Sequence, residues 1–282
     1  MHKLFFEFRH LIIRLWEILY TSRDLKSSTK CDFWLVCHSK DWPTARLTIA
    51  SIKKFSLNPI GKIYLVSDKP KAPFWTKKGV TYIYELEIPG IASVFRKMKE
   101  LSYRGWILQQ ILKYSGYRYS KKFVVIDCDT VLLKPHLFFT DAGFPILRIS
   151  YEHSPFYQKL EKAIGINFKS LVSFTAHMMP YESKHIKNLI KQIERKNKLD
   201  WINFFTDFSI ANGMLMNEQE IYAKFLLSKK INVKFRPWFN KSLNREAVMS
   251  IEELILSYPK RNSVSLHKPL CKRWVLGMPI SK

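Results

Sequence analysis

Two carboxylates one residue apart, Asp127 and Asp129, follow directly on the apolar run Phe123-Val124-Val125-Ile126. A run so short and so apolar predicts a strand buried on both faces, whose end delivers side chains to one edge of a sheet. In extended chain, residues i and i+2 point the same way. The spacing therefore predicts a carboxylate pair that attracts a hard divalent cation, Mg²⁺ or Mn²⁺. Such a cation can bridge a diphosphate and neutralise charge on a leaving nucleoside diphosphate. A bare D-x-D triplet is common in surface turns. This one is followed by Thr130-Val131-Leu132-Leu133-Lys134-Pro135, and a surface turn is not flanked by apolar runs on both sides.

The elements that must position this pair are legible upstream. Phe33 to Cys37 reads as a buried strand, Thr44 to Phe55 as an amphipathic helix, and Ile63 to Val66 as a second strand ended by Ser67-Asp68. Val80 to Tyr84 is a third strand, Tyr103 to Tyr114 a helix, and Phe123 to Ile126 a fourth strand. A β-α-β-(β)-α-β series implies an α/β fold with a mostly parallel central sheet and helices on both faces. Ligands of such sheets bind beyond the carboxyl ends of the strands. Downstream the pattern is less regular. Ile146 to Ser150, Val233 to Arg236 and Val264 to His267 suggest strands, and Ser183 to Arg195 and Glu218 to Leu227 suggest helices. No Gly- or Pro-rich linker divides residues 31–282, which read as one domain.

Residues 3–21 read as a helix in which Lys3, Glu7, His10, Arg14, Glu17 and Thr21 form one polar stripe. Charged and His residues interrupt its apolar run, which argues against a membrane span. Residues 1–22 are thus expected to be an amphipathic anchor in a membrane interface, or a helix docked on the protein itself or a partner subunit. Residues 23–30 read as a polar linker. The chain of 282 residues carries 47 Lys and Arg against 23 Asp and Glu, a formal charge of +24. That excess attracts nucleic acid, an anionic membrane face or a phosphorylated substrate, and charge alone does not choose. None of the four cysteines forms a C-x-x-C pair, which argues against zinc ribbon and thioredoxin chemistry. Cys31, Cys37, Cys128 and Cys271 are read as reduced thiols of a cytosolic protein.

The segment F-V-V-I-D-C-D-T-V-L-L-K-P resembles the D-x-D signature of GT-A glycosyltransferases. Tyr103 to Lys113 (Y-R-G-W-I-L-Q-Q-I-L-K), Ser173 to Met179 (S-F-T-A-H-M-M) and Glu218 to Tyr222 (E-Q-E-I-Y) resemble a sparsely characterised bacterial family of GT-A-like proteins. The resemblance implies a GT-A, Rossmann-like domain acting on a nucleotide-sugar donor. It places the nucleoside at Val36, His38 and Asp68, and the diphosphate and metal at Asp127-Cys128-Asp129. Trp106, Gln109 and Gln110 would line the donor pocket. Trp106 and Gln110 share one helix face while Gln109 points elsewhere, and Trp106 could equally be core packing. His177 would contact sugar or be structural. Glu218, ahead of Glu220, would be the general base on an acceptor hydroxyl, against the alternative of a solvated helix N-terminus. His267 would join the metal, and Lys268 or Lys272 the diphosphate, although the expected H-x-x-G-x-x-K-P context is not met.

These expectations amount to a glycosyltransferase using Mn²⁺ or Mg²⁺. The expected acceptor is a glycan or a lipid-linked glycan of bacterial surface polysaccharide or lipopolysaccharide. The expected place is the cytoplasmic, inner face of the cell membrane, on an anionic surface. A nucleic-acid-binding protein is the first alternative, but no RNP, KH, zinc-finger or helix-turn-helix signature appears and no nucleic acid is expected. A nucleotidyltransferase is the second, but the chain has only 9 Gly and no Gly-rich phosphate loop. A catalytically dead scaffold is the third, and the intact Asp pair speaks against it.

Overall fold

The computed structural model describes residues 15, 26–77, 79–150, 157–212, 216–244 and 250–267. The expected N-terminal helix (Leu15 excepted) and Lys268, Cys271 and Lys272 lie outside the described residues. In chain order the first elements are β1 (Cys31–Cys37), α1 (Trp42–Phe55), β2 (Ile60–Ser67), β3 (Val80–Tyr84), α2 (Ile91–Lys97), α3 (Arg104–Ser115), β4 (Lys122–Ile126) and β5 (Thr130–Leu132). They are followed by β6 (Ile146–Ile149), α4 (Tyr157–Ala163), β7 (Met178–Glu182), α5 (Ser183–Asn197), α6 (Trp201–Asn212) and α7 (Glu218–Ser228). The last are β8 (Lys234–Pro237), β9 (Asn240–Asn244), α8 (Ile251–Ser257) and β10 (Ser263–His267).

The central sheet has five strands in the order β3-β2-β1-β4-β7. The first four run parallel, and β7 closes the sheet antiparallel to β4. Alternation along each strand divides its side chains between two cores. Trp34, Val36, Tyr64, Val66, Phe123 and Val125 pack with residues of α3, α5, α6 and α7. Phe33, Leu35, Cys37, Leu65, Val124 and Ile126 pack with α1 and with Phe138 and Phe139 on the other face. Each large apolar side chain buried this way contributes about 1.5–3 kcal/mol. The layered α/β architecture read from the sequence, a mostly parallel sheet flanked by helices, is the one observed.

Several elements escape the sequence pattern for physical reasons. The run forming β7 contains Pro180, which has no N–H for a ladder and so argues against a central strand. The structure resolves this by making β7 the edge of the sheet. Helix α6 (WINFFTDFSIAN) is apolar on most sides and carries no clean helical period. Its Trp201, Ile202 and Phe205 fill the core between α3 and α5.

Two small sheets complete the described part. Strand β10 pairs antiparallel with β5 and parallel with β9, and β6 pairs with β8. The β5–β10 pairing matters most for the site, because it folds the chain around residue 267 back onto the D-x-D segment. The described cysteines, Cys31, Cys37 and Cys128, are buried free thiols.

The strap that follows β5 contains a buried imidazole. His136 Nδ1 lies 2.7 Å from Lys134 O, and its ring stacks on Phe138. Burial, reinforced by the nearby Arg148, lowers its pKa from 6.5 to about 3. The folded state thus refuses a proton that the unfolded chain accepts, so stability falls as pH drops below the unfolded value toward about 3. Between about pH 7 and about pH 5 this one group should cost about 2 kcal/mol. Urea denaturation of wild type and His136→Gln at both pH values tests this. Parallel acid sensitivity in the two proteins would contradict it.

Candidate metal and donor site

Asp127 and Asp129 leave the carboxyl end of β4, as expected, but not in extended chain. Asp127 O accepts from Thr130 N at 2.9 Å, closing a turn over residues 127–130. The turn is pinned at each peptide. Asp127 N donates to His177 O (2.9 Å), Thr48 Oγ1 donates to Cys128 O (2.9 Å), and Leu266 N donates to Asp129 O (2.8 Å). Cys128 itself is buried. The two carboxylates are therefore brought together by a fastened turn, where the sequence reading expected simple strand alternation.

His177 joins them. One ligand atom from each of Asp127, Asp129 and His177 falls within 4.8 Å of the others. His177 Nδ1 is 3.4 Å from Asp127 Oδ2 and 3.3 Å from Ser265 Oγ. Its backbone is left-handed, at φ 50°, a conformation that costs a non-glycine residue roughly 1–3 kcal/mol and persists only where the surroundings impose it. Here they do: the carbonyl is held by Asp127 N, and the ring stacks on Trp238 with centroids 5.0 Å apart. Burial lowers the His177 pKa, against the pull of Asp127 and Asp129. A lowered pKa favours the neutral imidazole that a metal requires. His267, at the end of β10, adds Nδ1 at 3.2 Å from Asp129 Oδ2, and its ring lies 5.2 Å from that of His177.

Behind the pair lies a group that the sequence reading did not single out. Lys113 is 4% exposed, and its Nζ lies 2.7 Å from Asp127 Oδ1 and 3.0 Å from Glu218 Oε1. Burial works against its charge, but Asp127 and Glu218 outweigh burial and raise its pKa. A signal was present: Lys113 continues the helix face of Trp106 and Gln110 one turn further, at i+7 from Trp106, within an otherwise buried stretch. Three carboxylates (Asp127, Asp129 and Glu218) against this one ammonium leave the site negative, as a divalent cation requires.

Glu218 and Glu220 are only 2% and 1% exposed. Gln110, in the orientation that satisfies its amide, donates to Glu218 Oε2 and to Met216 O (3.3 Å). Glu220 Oε1 accepts from Phe174 N (2.8 Å) and from Ser173 Oγ, and its other oxygen is 3.5 Å from Lys224 Nζ. Asn217 caps the helix by accepting from Gln219 N and Glu220 N, and Gln219 Oε1 accepts from Ala176 N (2.8 Å). The first turn of α7 therefore holds both Lys113 and the segment leading to His177. It is a buried helix start, not a solvated one.

The donor-side candidates cluster at the ends of β1 and β2. Asp68 accepts from Ser39 N at 2.5 Å and lies 3.5 Å from His38 Nε2. Although burial opposes it, the Ser39 N–H and His38 together lower the Asp68 pKa. Glu85 stands near this edge, and burial followed by repulsion from Asp68 raises its pKa to about 7. Val36 is buried in the core, Trp106 packs partly buried against it, Gln109 is half-buried, and Gln110 is taken up by Glu218. Of the helix residues expected around a donor, the structure thus brings Gln110 to the D-x-D turn, through Glu218 and Lys113.

No family model matches the chain, and no curated protein does. Among solved structures the chain is similar to mouse xyloside xylosyltransferase 1 in its apo form. The identity is 9% and the TM-score 0.44, over 86% of this chain and 100% of that one.

Proposed function

We propose that this chain is a metal-dependent glycosyltransferase that moves a sugar from a nucleotide-sugar donor to a glycan or lipid-linked acceptor. The bacterial context comes from the sequence resemblance, and the basic charge of +24 with the amphipathic N-terminal segment suggests an acceptor at a membrane, such as a lipid-linked or lipopolysaccharide glycan. The observation that carries the reading is the convergence of Asp127, Asp129 and His177 at the carboxyl edge of a parallel sheet, the edge where α/β sheets bind nucleotides. Two carboxylate oxygens and an imidazole nitrogen suit Mn²⁺ or Mg²⁺. His267 is placed to join through its contact with Asp129. A divalent cation there would neutralise the diphosphate that leaves with the nucleoside.

The chain's own residues do the positioning. The turn fastened by Thr48, His177 and Leu266 fixes both carboxylates before any ligand arrives. His38, Ser39 and Asp68 present a polar edge for the nucleoside one strand away. Glu218 and Glu220, expected as general bases, are buried, the first against Lys113 and the second against Ser173 Oγ and Phe174 N. In this reading they are positioning residues: Glu218 holds Lys113, which holds Asp127. Transfer with retention of configuration needs no dedicated base, and a buried Glu218 and Glu220 favour that course. Among the described residues no helix is long and apolar enough to cross a membrane; the net charge of +24 supports peripheral placement on an anionic membrane, at the inner face of the cell membrane.

Replacing Asp127→Asn together with Asp129→Asn should lower metal-dependent donor hydrolysis and transfer by at least about a hundredfold. A screen of nucleotide sugars with and without Mn²⁺ reads this out, and undiminished activity in the variant would sink the assignment. Lys113→Met leaves Glu218 and Asp127 without their cation and should destabilise the fold by about 3–5 kcal/mol in urea. Adding Glu218→Gln to it should recover part of that loss, the non-additivity expected of one coupled network. Glu218→Gln alone should weaken metal binding roughly 10–100-fold without removing a limb of the kcat–pH profile. Loss of the acidic limb with intact metal affinity would restore Glu218 as the general base.

A further inference from the structure

Helix α5 carries a basic ridge that the transfer chemistry does not use. Lys184, Lys187, Lys191 and Arg195 recur at spacings of three, four and four, so they form one exposed stripe along the helix. The buried stripe opposite is Ile186, Leu189, Ile190 and Ile193. Like charges one turn apart repel and weaken a helix, so the stability of α5 does not call for this arrangement. The one carboxylate within α5, Glu194, accepts from Trp201 N at 3.3 Å. Lys184 is paired with Glu182 (3.2 Å), but among the described residues no carboxylate is ion-paired to Lys187, Lys191, Arg195 or Lys229.

The ridge borders an open groove of about 690 Å³. Lys191 and Arg195 line one side, and Lys229 and Ile231, just past the end of α7, line the other. His185, Asn188, Gln192 and Phe225 complete the lining. His185 is 9% exposed, and its Nδ1 has no hydrogen-bond partner. The groove shares no residue with the metal site. Helix α7 separates them, with Glu218 at one end beside Lys113 and Lys229 just past the other, about 16 Å along its axis.

The geometry points to this groove and ridge as a docking surface for an anionic phospholipid membrane, with headgroup phosphates between Lys191, Arg195 and Lys229. A row of cations on one straight helix meets a plane of headgroups along its whole length, and each Lys or Arg near such a surface strengthens binding about fivefold. Leu199, 39% exposed just beyond the ridge, gives the surface an apolar tip. Single-stranded nucleic acid fits less well, because it binds on exposed aromatic platforms and the aromatic ring lining the groove, Phe225, is 2% exposed. This surface is additional to any contact made by residues 1–22, and it does not depend on the transfer reading.

The test uses the full chain and a Lys191→Gln/Arg195→Gln/Lys229→Gln variant, with donor hydrolysis and melting temperature followed in parallel. Wild type should sediment with phosphatidylcholine vesicles containing phosphatidylglycerol and remain in solution with phosphatidylcholine alone. The variant should bind the anionic vesicles on the order of a hundredfold more weakly, with hydrolysis and melting unchanged. Equal binding by variant and wild type overturns the proposal and leaves docking to another part of the chain. Complete release of wild type by millimolar glycerol phosphate also overturns it, since the groove would then be a small-anion site. So does a preference for single-stranded RNA over anionic vesicles that the three substitutions abolish.

Discussion

A lysine ammonium held out of water between two carboxylates sets the geometry on which the candidate site depends. Lys113 gains little net stability from being buried, because the attraction to Asp127 and Glu218 mainly offsets the loss of hydration. What it gains is direction. An aspartate at a strand end can rotate freely, but one whose Oδ1 is engaged by a buried cation keeps Oδ2 turned toward His177. The cation is itself fixed from behind by Glu218, which is held by the Gln110 amide. The orientation of one carboxylate oxygen in the candidate metal site is thus traceable through three further side chains into the helix layer under the sheet.

The same helix start serves a second segment. Asn217, Gln219 and Glu220 offer their side chains to Thr175, Ala176, Phe174 and Ser173, a stretch with little regular structure of its own. Backbone N–H groups buried in such a stretch must find acceptors, and α7 supplies them. His177 can then adopt its left-handed conformation, because the residues before it and the Asp127 N–H after it leave no alternative. The buried Glu161–Lys224–Glu220 cluster anchors the far side of this arrangement.

The parallel sheet was legible because its strands are apolar runs buried on both faces, and the D-x-D turn because it follows the most apolar of them. What the sequence hid lies where local pattern and tertiary role conflict. Pro180 disguised an edge strand, and α6, apolar on most sides, showed no period. Glu218 and Glu220 read as general bases, with a solvated helix start as the alternative, since nothing local announces that a helix start will be buried. Lys113 was hidden by its type: a lysine in a helix reads as surface until its partners, Asp127 and Glu218, are brought to it from elsewhere in the chain. His177 and Asp129 were named as candidates for different tasks, and only the fold shows that they meet.

The pairing of β5 with β10 has a kinetic meaning. Thr130 Oγ1 and Ser265 Oγ lie 3.0 Å apart although 135 residues separate them in the chain. Closing so long a loop carries a larger entropic cost than the neighbouring strand contacts of β1 and β2, so this hairpin of distant ends belongs late in folding. The turn at Asp127 to Thr130 depends on it, because Leu266 N secures the Asp129 carbonyl. A nascent chain would therefore assemble its sheet before it could hold a cation. Cation binding at the site would then double as a report that β10 has come home.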